Sequence, residues 1–336
     1  MTLPPSALVP VPVPRRVLLL GATGTIGRAT ADALIRRGHE VVCFVRPQTD
    51  PRAARRRLPG AVLRFGEVTS AQSLARDAFQ GESFDVLVSC LASRTGAPRD
   101  AWAIDHDAHV LALQAARQAG VSQVVLLSAL CVQKPLLAFQ QAKLAFEQKL
   151  VASGLRYAIV RPTAFFKSLS GQIERVRRGK SFLVFGDGAL TACKPISDED
   201  LANFLADCLD HPDRRGRILP IGGPGPAITP REQGEALFRL LGKPAKFRRV
   251  PVGVLDAVIA VLGALGRGVP ALAAKAELAR IGRYYATESM LVLDPQTGQY
   301  DAQATPSTGN QTLFDFYERL IVQGHAAPEL GDHAVF

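Results

Sequence analysis

The sequence contains no pair of cysteines at CxxC spacing, and its five cysteines are an odd number scattered along the chain. This distribution gives no support for a disulfide framework or a cysteine-ligated metal, and we expect no metal site. Three of the five fall in apolar, strand-like runs. We therefore expect reduced thiols in the core of a protein from a reducing compartment.

Long apolar runs are also missing. A membrane-spanning helix needs ~20 apolar residues, and the best candidate, residues 250–266, is short, glycine-rich and interrupted by Asp256. Its apolar residues recur at helical spacing, which predicts a helix packed on a core or lining an apolar pocket. The first 14 residues hold five prolines and no cationic stretch before an apolar one. They predict a disordered leader rather than an export signal, and hence a cytoplasmic protein.

Acidic residues are fewer than basic ones. The 336 residues include 40 Lys and Arg against 30 Asp and Glu, a formal charge of +10, with basic clusters at 52–57, 175–180 and 243–249. No aromatic residues are interleaved with these clusters in the manner of a nucleic-acid-binding motif. The surplus therefore favours a solvated basic face, leaves an anionic partner open, and disfavours nucleic acid.

From Arg15 onward the chain alternates apolar strand-like runs with helical segments. The predicted strands are residues 17–21, 40–46, 61–68, 84–92, 123–130 and 155–163. The main helices between them are residues 27–38, 106–119 and 139–153. Such alternation is typical of a parallel sheet covered by helices on both faces. Beyond residue 162 the rhythm loosens, although residues 196–210 are predicted as a helix N-capped by Ser197.

Three glycines after the first strand form the strongest motif. They are spaced by two residues each and open the first predicted helix. In this setting the first glycine permits a tight turn, the second lets the backbone approach a pyrophosphate, and the third lets helix and strand pack closely. The motif predicts a Rossmann-type, doubly wound α/β fold that binds a dinucleotide. The loop residues expected at the cofactor are Gly21, Thr23, Gly24, Thr25, Ile26 and Gly27.

The end of the second strand distinguishes the two nicotinamide cofactors. A carboxylate there binds the ribose hydroxyls of NAD, whereas a cation pairs with the 2′-phosphate of NADP. The residue is Arg46, no carboxylate follows before Asp50, and Arg52 is near enough to assist. NADPH is therefore the predicted cofactor. Further cofactor contacts are expected at the ends of the third, fourth and sixth strands, at Glu67, Val68, Leu91, Ala92, Ser93, Pro162, Thr163 and Phe165.

The glycine spacing resembles that of extended and atypical short-chain dehydrogenases/reductases, but the catalytic positions depart from their commonest pattern. That pattern has a serine after the fifth strand and a Tyr-x-x-x-Lys. Ser128 and Lys143 match and are the predicted catalytic residues, with Lys143 also at the nicotinamide ribose, whereas Phe139 replaces the tyrosine. Phenylalanine has no proton to donate to a carbonyl oxygen. A simple ketoreductase is therefore disfavoured, and reduction of a conjugated carbon–carbon double bond is favoured.

Four longer segments carry a closer likeness, namely residues 126–150, 159–182, 192–209 and 284–294, together with ATPSTG at 304–309. On these segments the chain resembles the divinyl chlorophyllide 8-vinyl reductases, which are atypical short-chain enzymes with an NmrA-like NAD(P)-binding fold. The resemblance extends from about Arg15 to about Leu320. It implies an NADPH-dependent enzyme of chlorophyll or bacteriochlorophyll synthesis that reduces the 8-vinyl group of divinyl chlorophyllide or protochlorophyllide to ethyl.

The same resemblance implies a flat, apolar macrocycle with a propionate as substrate. The apolar region 251–281 and a few cations would form its pocket. The basic surplus would also suit peripheral contact with photosynthetic membranes. The proton donor stays open between Lys143, water and two tyrosines of the C-terminal half. The residues expected at the substrate are Phe139, Phe166, Tyr284 and Tyr285.

We predict a leader at 1–14, an NADP-binding domain at 15–165, a smaller and mainly helical substrate-binding region at 166–325 packed on it, and a tail at 326–336. Three other functions stay open. The first is a reductase of the isoflavone or phenylcoumaran type, acting on another conjugated double bond. The second is a redox sensor that binds NADP without turnover, and the third is an RNA-binding relative with the same fold.

Overall fold

The structure is a computed structural model and describes residues 13–321. The predicted leader lies almost entirely outside the described residues, and the predicted tail lies wholly outside them. Within 13–321, no helix combines the length and the apolar character needed to cross a membrane.

The described chain alternates strands and helices at first and is mainly helical towards its end. The strands are β1 Arg16–Leu20, β2 Glu40–Val45, β3 Val62–Phe65, β4 Val86–Ser89, β5 Gln123–Leu127, β6 Arg156–Pro162, β7 Phe182–Phe185, β8 Arg217–Ile221, β9 Phe247–Val250, β10 Val292–Leu293 and β11 Tyr300–Asp301. The α-helices are α1 Thr25–Arg36, α2 Pro51–Arg57, α3 Ala71–Ser73, α4 Pro98–Ala101, α5 His109–Gln118, α6 Ala138–Val151, α7 Ile173–Arg177, α8 Asp198–Asp210, α9 Pro230–Leu240, α10 Val252–Leu265, α11 Pro270–Thr287 and α12 Leu313–Ile321. A π-helical segment, Trp102–Ala108, joins α4 to α5.

Seven strands form one parallel sheet in the order β3-β2-β1-β4-β5-β6-β8. Its central strand, β1, is an unbroken apolar run in which residues 17–20 are at most 1% exposed. One face of the sheet packs against α1 and α8, and the other against α5 and α6. The strand order reverses between β1 and β4, and in doubly wound sheets a nucleotide binds at the carboxyl ends of such strands.

The predicted Rossmann-type α/β fold is confirmed, and all six predicted strands are present, most of them shorter than predicted. A seventh, β8, was not predicted. It pairs with β6, and α8 covers the sheet with Ser197 as the predicted N-cap, its Oγ accepting the Asp200 backbone N–H at 3.0 Å. Because α8 and β8 belong to the sheet layer, that layer continues well beyond the domain boundary expected at residue 165.

A third core holds the remaining elements together. Tyr317 of α12 is fully buried there among apolar residues of α7, β7 and α9, and its hydroxyl donates to the carbonyl of Leu169 at 2.6 Å. β7 pairs with β9 in parallel, and β10 pairs with β11 in antiparallel. These elements pack beside the N-terminal end of α6, at Leu137 and Phe139, so they border the carboxyl edge of the large sheet.

The five cysteines are unpaired, as predicted; four of them are buried and Cys90 is partly exposed. Cys43 lies in β2 and Cys90 directly after β4. Burial raises the pKa of both thiols to about 12.

Close approach of α1 to β1 depends on two glycines of the predicted motif. Gly21 has φ +75°, a left-handed conformation that favours glycine. A Cβ on Gly21 would overlap the backbone of Cys90 and Leu91, and one on Gly27 would overlap the carbonyl of Gly21. The loop can therefore lie against the end of β4 only without a side chain at Gly21, and α1 can pack against the loop only without one at Gly27.

We expect Gly27→Ala to lower the free energy of unfolding by roughly 1–3 kcal/mol, since overpacking against rigid backbone costs about this much. Gly253→Ala in α10 is the matched control, because no atom lies within 4 Å of its added Cβ. That helical substitution should leave stability unchanged or raise it by up to about 1 kcal/mol. Urea denaturation measures both, and equal stability of Gly27→Ala and the wild type would contradict the packing argument.

Candidate functional site

The loops that follow β1, β2, β4 and β6 meet at one edge of the sheet, because all these strands are parallel. At this edge, the β1–α1 loop presents the N-terminus of α1. Gly24 is its N-cap, is exposed, and donates its N–H to the carbonyl of Gly21 at 3.1 Å. The unpaired N–H groups of a first helical turn carry partial positive charge and bind anions.

Lys167 adds a cation at the same place. It lies in the turn after β6, and its Nζ donates to Thr25 Oγ1 in the first turn of α1 at 3.2 Å. A positive charge at the positive end of a helix is unfavourable unless an anion binds there. Lys167 and Arg28 also act on the carboxyl of Asp198, whose pKa burial raises while the two cations oppose the rise.

A cavity of about 340 Å³ lies at the end of β2. Its lining residues are Thr23, Arg46, Gln48, Thr49, Ala53, Ala54, Arg57 and Leu58. Two guanidinium groups and no carboxylate line it, which suits a phosphate group. Arg46 lies where it was predicted. The second arginine is Arg57, in the last turn of α2, rather than the expected Arg52.

Residues after β3 and β4 border this cavity and the centre of the crevice. Gln48 donates from Nε2 to Glu67 Oε1 at 3.2 Å, so the carboxylate of Glu67 lies beside the arginine cavity. Val68 packs partly into the core. After β4, Leu91 is half-buried and Ala92 is exposed. The structure thus brings these four predicted cofactor residues to one edge of the sheet.

The loop after β6 is held firmly against the segment 194–196. Thr163 follows Pro162, the last residue of β6, and its hydroxyl donates to the carbonyl of Lys194. Phe165 forms a parallel bridge with Ile196 and packs partly on the sheet core. These contacts give the predicted nicotinamide residues a rigid support.

Lys143 is one half of a buried ion pair. Its Nζ lies 2.9 Å from Oδ1 of Asp105, and the two side chains are 12% and 0% exposed. The same carboxylate oxygen accepts the backbone N–H of Ser93, after β4, at 3.2 Å. The other oxygen, Oδ2, is buried without a hydrogen-bond partner among the described residues. Asp105 thus fixes the ammonium of Lys143 against the loop after β4.

A neutral histidine supports this pair. His109 Nε2 lies 2.8 Å from Ser89 Oγ, and its Nδ1 lies 2.9 Å from the carbonyl of Ile104. Burial, and then the nearby charge of Lys143, lower the pKa of His109 to about 4. The imidazole is therefore uncharged at neutral pH and adds no second cation beside Lys143.

The other predicted catalytic residue, Ser128, lies in a different network. Its hydroxyl donates to Glu147, a carboxylate that is 2% exposed and also pairs with Arg161. Ser128 is itself 5% exposed. This arrangement anchors α6 to β5 and β6 and leaves the hydroxyl proton committed to Glu147. The geometry gives Ser128 an anchoring contact, and its catalytic role stays a prediction.

Apolar groups border the Lys143 pair on one side. Phe139 precedes Lys143 by one helical turn on α6 and is half-buried. A Cβ on Gly96 would lie 2.9 Å from Ile281 Cδ1 and 3.5 Å from Phe139 Cδ1. The loop after β4, α6 and α11 therefore meet here, which is where an apolar substrate could reach the nicotinamide end of the crevice.

The structure separates the remaining predicted substrate residues. Tyr285 exposes 38% of its surface and directs its hydroxyl at Cys131 Sγ. Tyr284 is 3% exposed and donates to the carbonyl of Cys131 at 3.0 Å, and burial raises the pKa of both phenols. Phe166 is also 3% exposed and packs on Phe316 in the third core. Phe166 is therefore a core residue, and its predicted substrate contact is not retained.

Comparisons with known proteins place this geometry in a family. A family model described as NAD(P)H-binding matches residues 21–212. The chain is 52% identical to a divinyl chlorophyllide a 8-vinyl-reductase, chloroplastic, of Oryza sativa subsp. indica, covering 95% of this chain and 82% of the relative. It is 50% identical to the protein of that name from Cucumis sativus, covering 97% and 80%. The chain belongs to the divinyl chlorophyllide a 8-vinyl-reductase family.

The fold of this vinyl-reductase family member resembles that of other reductases. The crystal structure of an NADPH-dependent quinone oxidoreductase from Escherichia coli, complexed with NADPH, matches with a TM-score of 0.65 and 18% identity over 90% of this chain and 99% of that one. The predicted family, and with it the predicted nicotinamide-dependent oxidoreductase, are confirmed.

Several charged residues of this vinyl-reductase site were missed by the sequence analysis. Arg57, Glu147 and Lys167 lie within a basic cluster or within the segments of family likeness, whereas Asp105 directly precedes the predicted helix 106–119. Lys167 lies two residues after the predicted cofactor residue Phe165, and Asp105 lies in the π-helical segment before His109. Their partners are 142 and 38 residues away in the chain, Thr25 and Lys143 respectively, so local patterns gave no signal for either pair.

The lowered pKa of His109 predicts a pH dependence of stability. The unfolded chain binds a proton near pH 6.5, whereas the folded chain binds it only near pH 4. Stability should therefore fall as the pH drops from about 6.5 to 4, by up to ~3 kcal/mol from this group. His109→Gln, which can still bind Ser89, should lose this part of the slope in urea denaturation. Identical slopes for variant and wild type would contradict a neutral, buried imidazole.

Proposed function

We propose that this chain reduces the 8-vinyl group of divinyl chlorophyllide or protochlorophyllide to ethyl with NADPH. The observation that carries the proposal is Lys143, held by the buried Asp105 at the crevice with Phe139 one turn before it. A fixed cation is available to orient a cofactor, while no phenol stands where a carbonyl oxygen would need a proton. The names of the relatives agree with this reading.

The reaction needs a hydride and a proton. NADPH, when bound, supplies the hydride to the terminal vinyl carbon, and the macrocycle delocalises the resulting charge until a proton reaches the inner carbon. Lys143 binds the nicotinamide ribose and keeps the ring in place. Water is the best placed proton donor, because the hydroxyl of Tyr284 donates to the carbonyl of Cys131 and that of Tyr285 donates to the buried Sγ of the same residue.

Two sets of cations among the described residues bind different parts of the cofactor. The helix N-terminus at Gly24 and Thr25, with Lys167, binds the diphosphate, and Arg46 with Arg57 binds the 2′-phosphate. The other groups proposed at the cofactor are Gly21, Thr23, Ile26, Gly27, Glu67, Val68, Leu91, Ala92, Ser93, Pro162, Thr163 and Phe165. The preference for NADPH over NADH thus rests on the arginine pair, and affinity for both cofactors rests on Lys167.

We further propose that residues 15–165 supply most of the nucleotide site and 166–325 most of the substrate site. The substrate combines an apolar ring with a carboxylate, so access to it favours peripheral contact with a membrane. We propose that the protein acts from the cytoplasmic side in such contact.

Mutations in the two sets of cations should have different effects on the KM values for NADPH and NADH. Arg57→Ala and Arg46→Ala should each raise the KM for NADPH about tenfold or more, the loss expected for one charge-assisted hydrogen bond, and leave the KM for NADH unchanged. Lys167→Met should raise the KM for both cofactors by a similar factor. Arg55→Ala, an exposed arginine of α2 outside the cavity lining, is the matched control. A selective loss of NADPH in Lys167→Met would refute the division.

The reaction itself is tested by absorption spectroscopy of divinyl chlorophyllide with NADPH, since loss of the vinyl conjugation shifts the Soret band. Lys143→Met should slow this shift by about 10²-fold or more, because a mispositioned nicotinamide loses reactive geometry. Asp105→Asn should slow it less, and Phe139→Leu should retain most activity because only packing changes.

Two measurements separate catalysis from folding in this series. Lys143→Arg keeps a cation beside Asp105, so it tests whether impaired turnover comes from an uncompensated buried carboxylate. Urea denaturation, independent of NADPH, shows which variants remain folded. Wild-type turnover in Lys143→Met, or an unchanged Soret band with the wild type, would overturn the proposed function.

A further inference from the structure

Helix α10 is apolar except for Asp256, yet none of its 14 residues is buried. A helix that is hydrophobic on all sides is normally buried on all sides. Val254, Val258, Val261 and Leu265 are 48%, 39%, 57% and 56% exposed. They follow one another at intervals of four, three and four residues, so they form one continuous apolar stripe on the surface.

The opposite side of α10 packs against α11, and the two helices form a hairpin. The hairpin turn continues the stripe with Val269, which is 46% exposed. At its other end α11 reaches the candidate site, where Ile281 approaches Gly96 and Tyr285 contacts Cys131. With 18 residues, α11 is about 27 Å long. One helix thus links the exposed stripe to the substrate end of the crevice.

Positive charge surrounds the stripe. Residues 243–283 contain eight Lys and Arg against two acidic residues. Both acids are paired within the hairpin, Asp256 with Arg283 and Glu277 with Arg280. Exposed cations stand at both ends of α10, namely Lys246, Arg248 and Arg249 before it and Arg267 after it. Within residues 13–321, none of these four cations is paired with a carboxylate, so unpaired positive charge brackets the apolar surface.

We propose that the α10–α11 hairpin docks on an anionic lipid bilayer, with the stripe in the boundary between headgroups and acyl chains and the cations on the lipid phosphates. This assignment rests on the proposed peripheral membrane contact and names its surface and lipid chemistry. At about 21 Å, α10 is too short to span the ~30 Å hydrocarbon core. A second copy of the chain would bring two sets of these cations together, which disfavours a dimer on this surface.

The proposal is tested by sedimentation with vesicles of phosphatidylcholine alone and of phosphatidylcholine with phosphatidylglycerol. The wild type should bind the anionic vesicles at least tenfold more tightly than the neutral ones, and less tightly as salt is raised. Val258→Ser/Val261→Ser/Leu265→Ser should weaken binding to anionic vesicles at least tenfold. Arg248→Gln/Arg249→Gln should remove most of the preference for anionic lipid.

The matched control is Val62→Ser/Leu190→Ser/Ile218→Ser, which removes three apolar side chains of comparable exposure, 47%, 50% and 41%, outside the hairpin. It should bind vesicles as the wild type does. Absence of wild-type binding, or unchanged binding of the stripe variant, would overturn the proposal. So would a dimer that the stripe variant converts to a monomer in sedimentation velocity. Wild-type turnover in detergent micelles tests the proposed reaction separately.

Discussion

The buried ion pair between Lys143 and Asp105 is the interaction on which the candidate site depends. It joins three separate parts of the chain: α6, the π-helical segment before α5, and, through the N–H of Ser93, the loop after β4. Two charges removed from water are expensive, and removing either one leaves the other uncompensated. The ion pair therefore holds the ammonium group of Lys143 in a single position. The neutral imidazole of His109 completes this arrangement, because a second buried cation beside Lys143 would weaken it.

Charge on the nucleotide side follows a different principle. Lys167 sits at the positive end of α1, and Arg46 and Arg57 both line a cavity whose lining includes no carboxylate. Both arrangements accumulate like charge, which costs free energy until an anion binds. If these cations bind the phosphate groups of a cofactor as proposed, binding should stabilise the fold through the same contacts. Asp198, buried nearby, moderates the positive charge at the diphosphate end.

Much of this fold could be predicted from local patterns. β1 and β4 are apolar runs typical of buried strands. Gly21 and Gly27 lie between a predicted strand and a predicted helix, a position that is typical of a nucleotide-binding loop. β8 escaped prediction because its ILPI core is short, contains a proline and is partly exposed. Site residues were harder for a different reason: partners such as Thr25 and Lys167 are far apart in the chain. Phe165 and Phe166 are adjacent, yet Phe165 packs on the sheet core and Phe166 in the third core, and composition alone could not assign either one to a surface.

The buried cysteines have a consequence for how the protein tolerates oxidising conditions. Burial raises the pKa of Cys43 and Cys193 to about 12, so both thiols are protonated at neutral pH. Peroxides and disulfides react with the thiolate, so these side chains are poor targets for sulfenic acid formation or glutathionylation. Cys131, buried beneath Tyr285, has its pKa raised in the same way. Thiols in these buried positions therefore stay protonated at neutral pH, which disfavours a thiol-based redox switch among them.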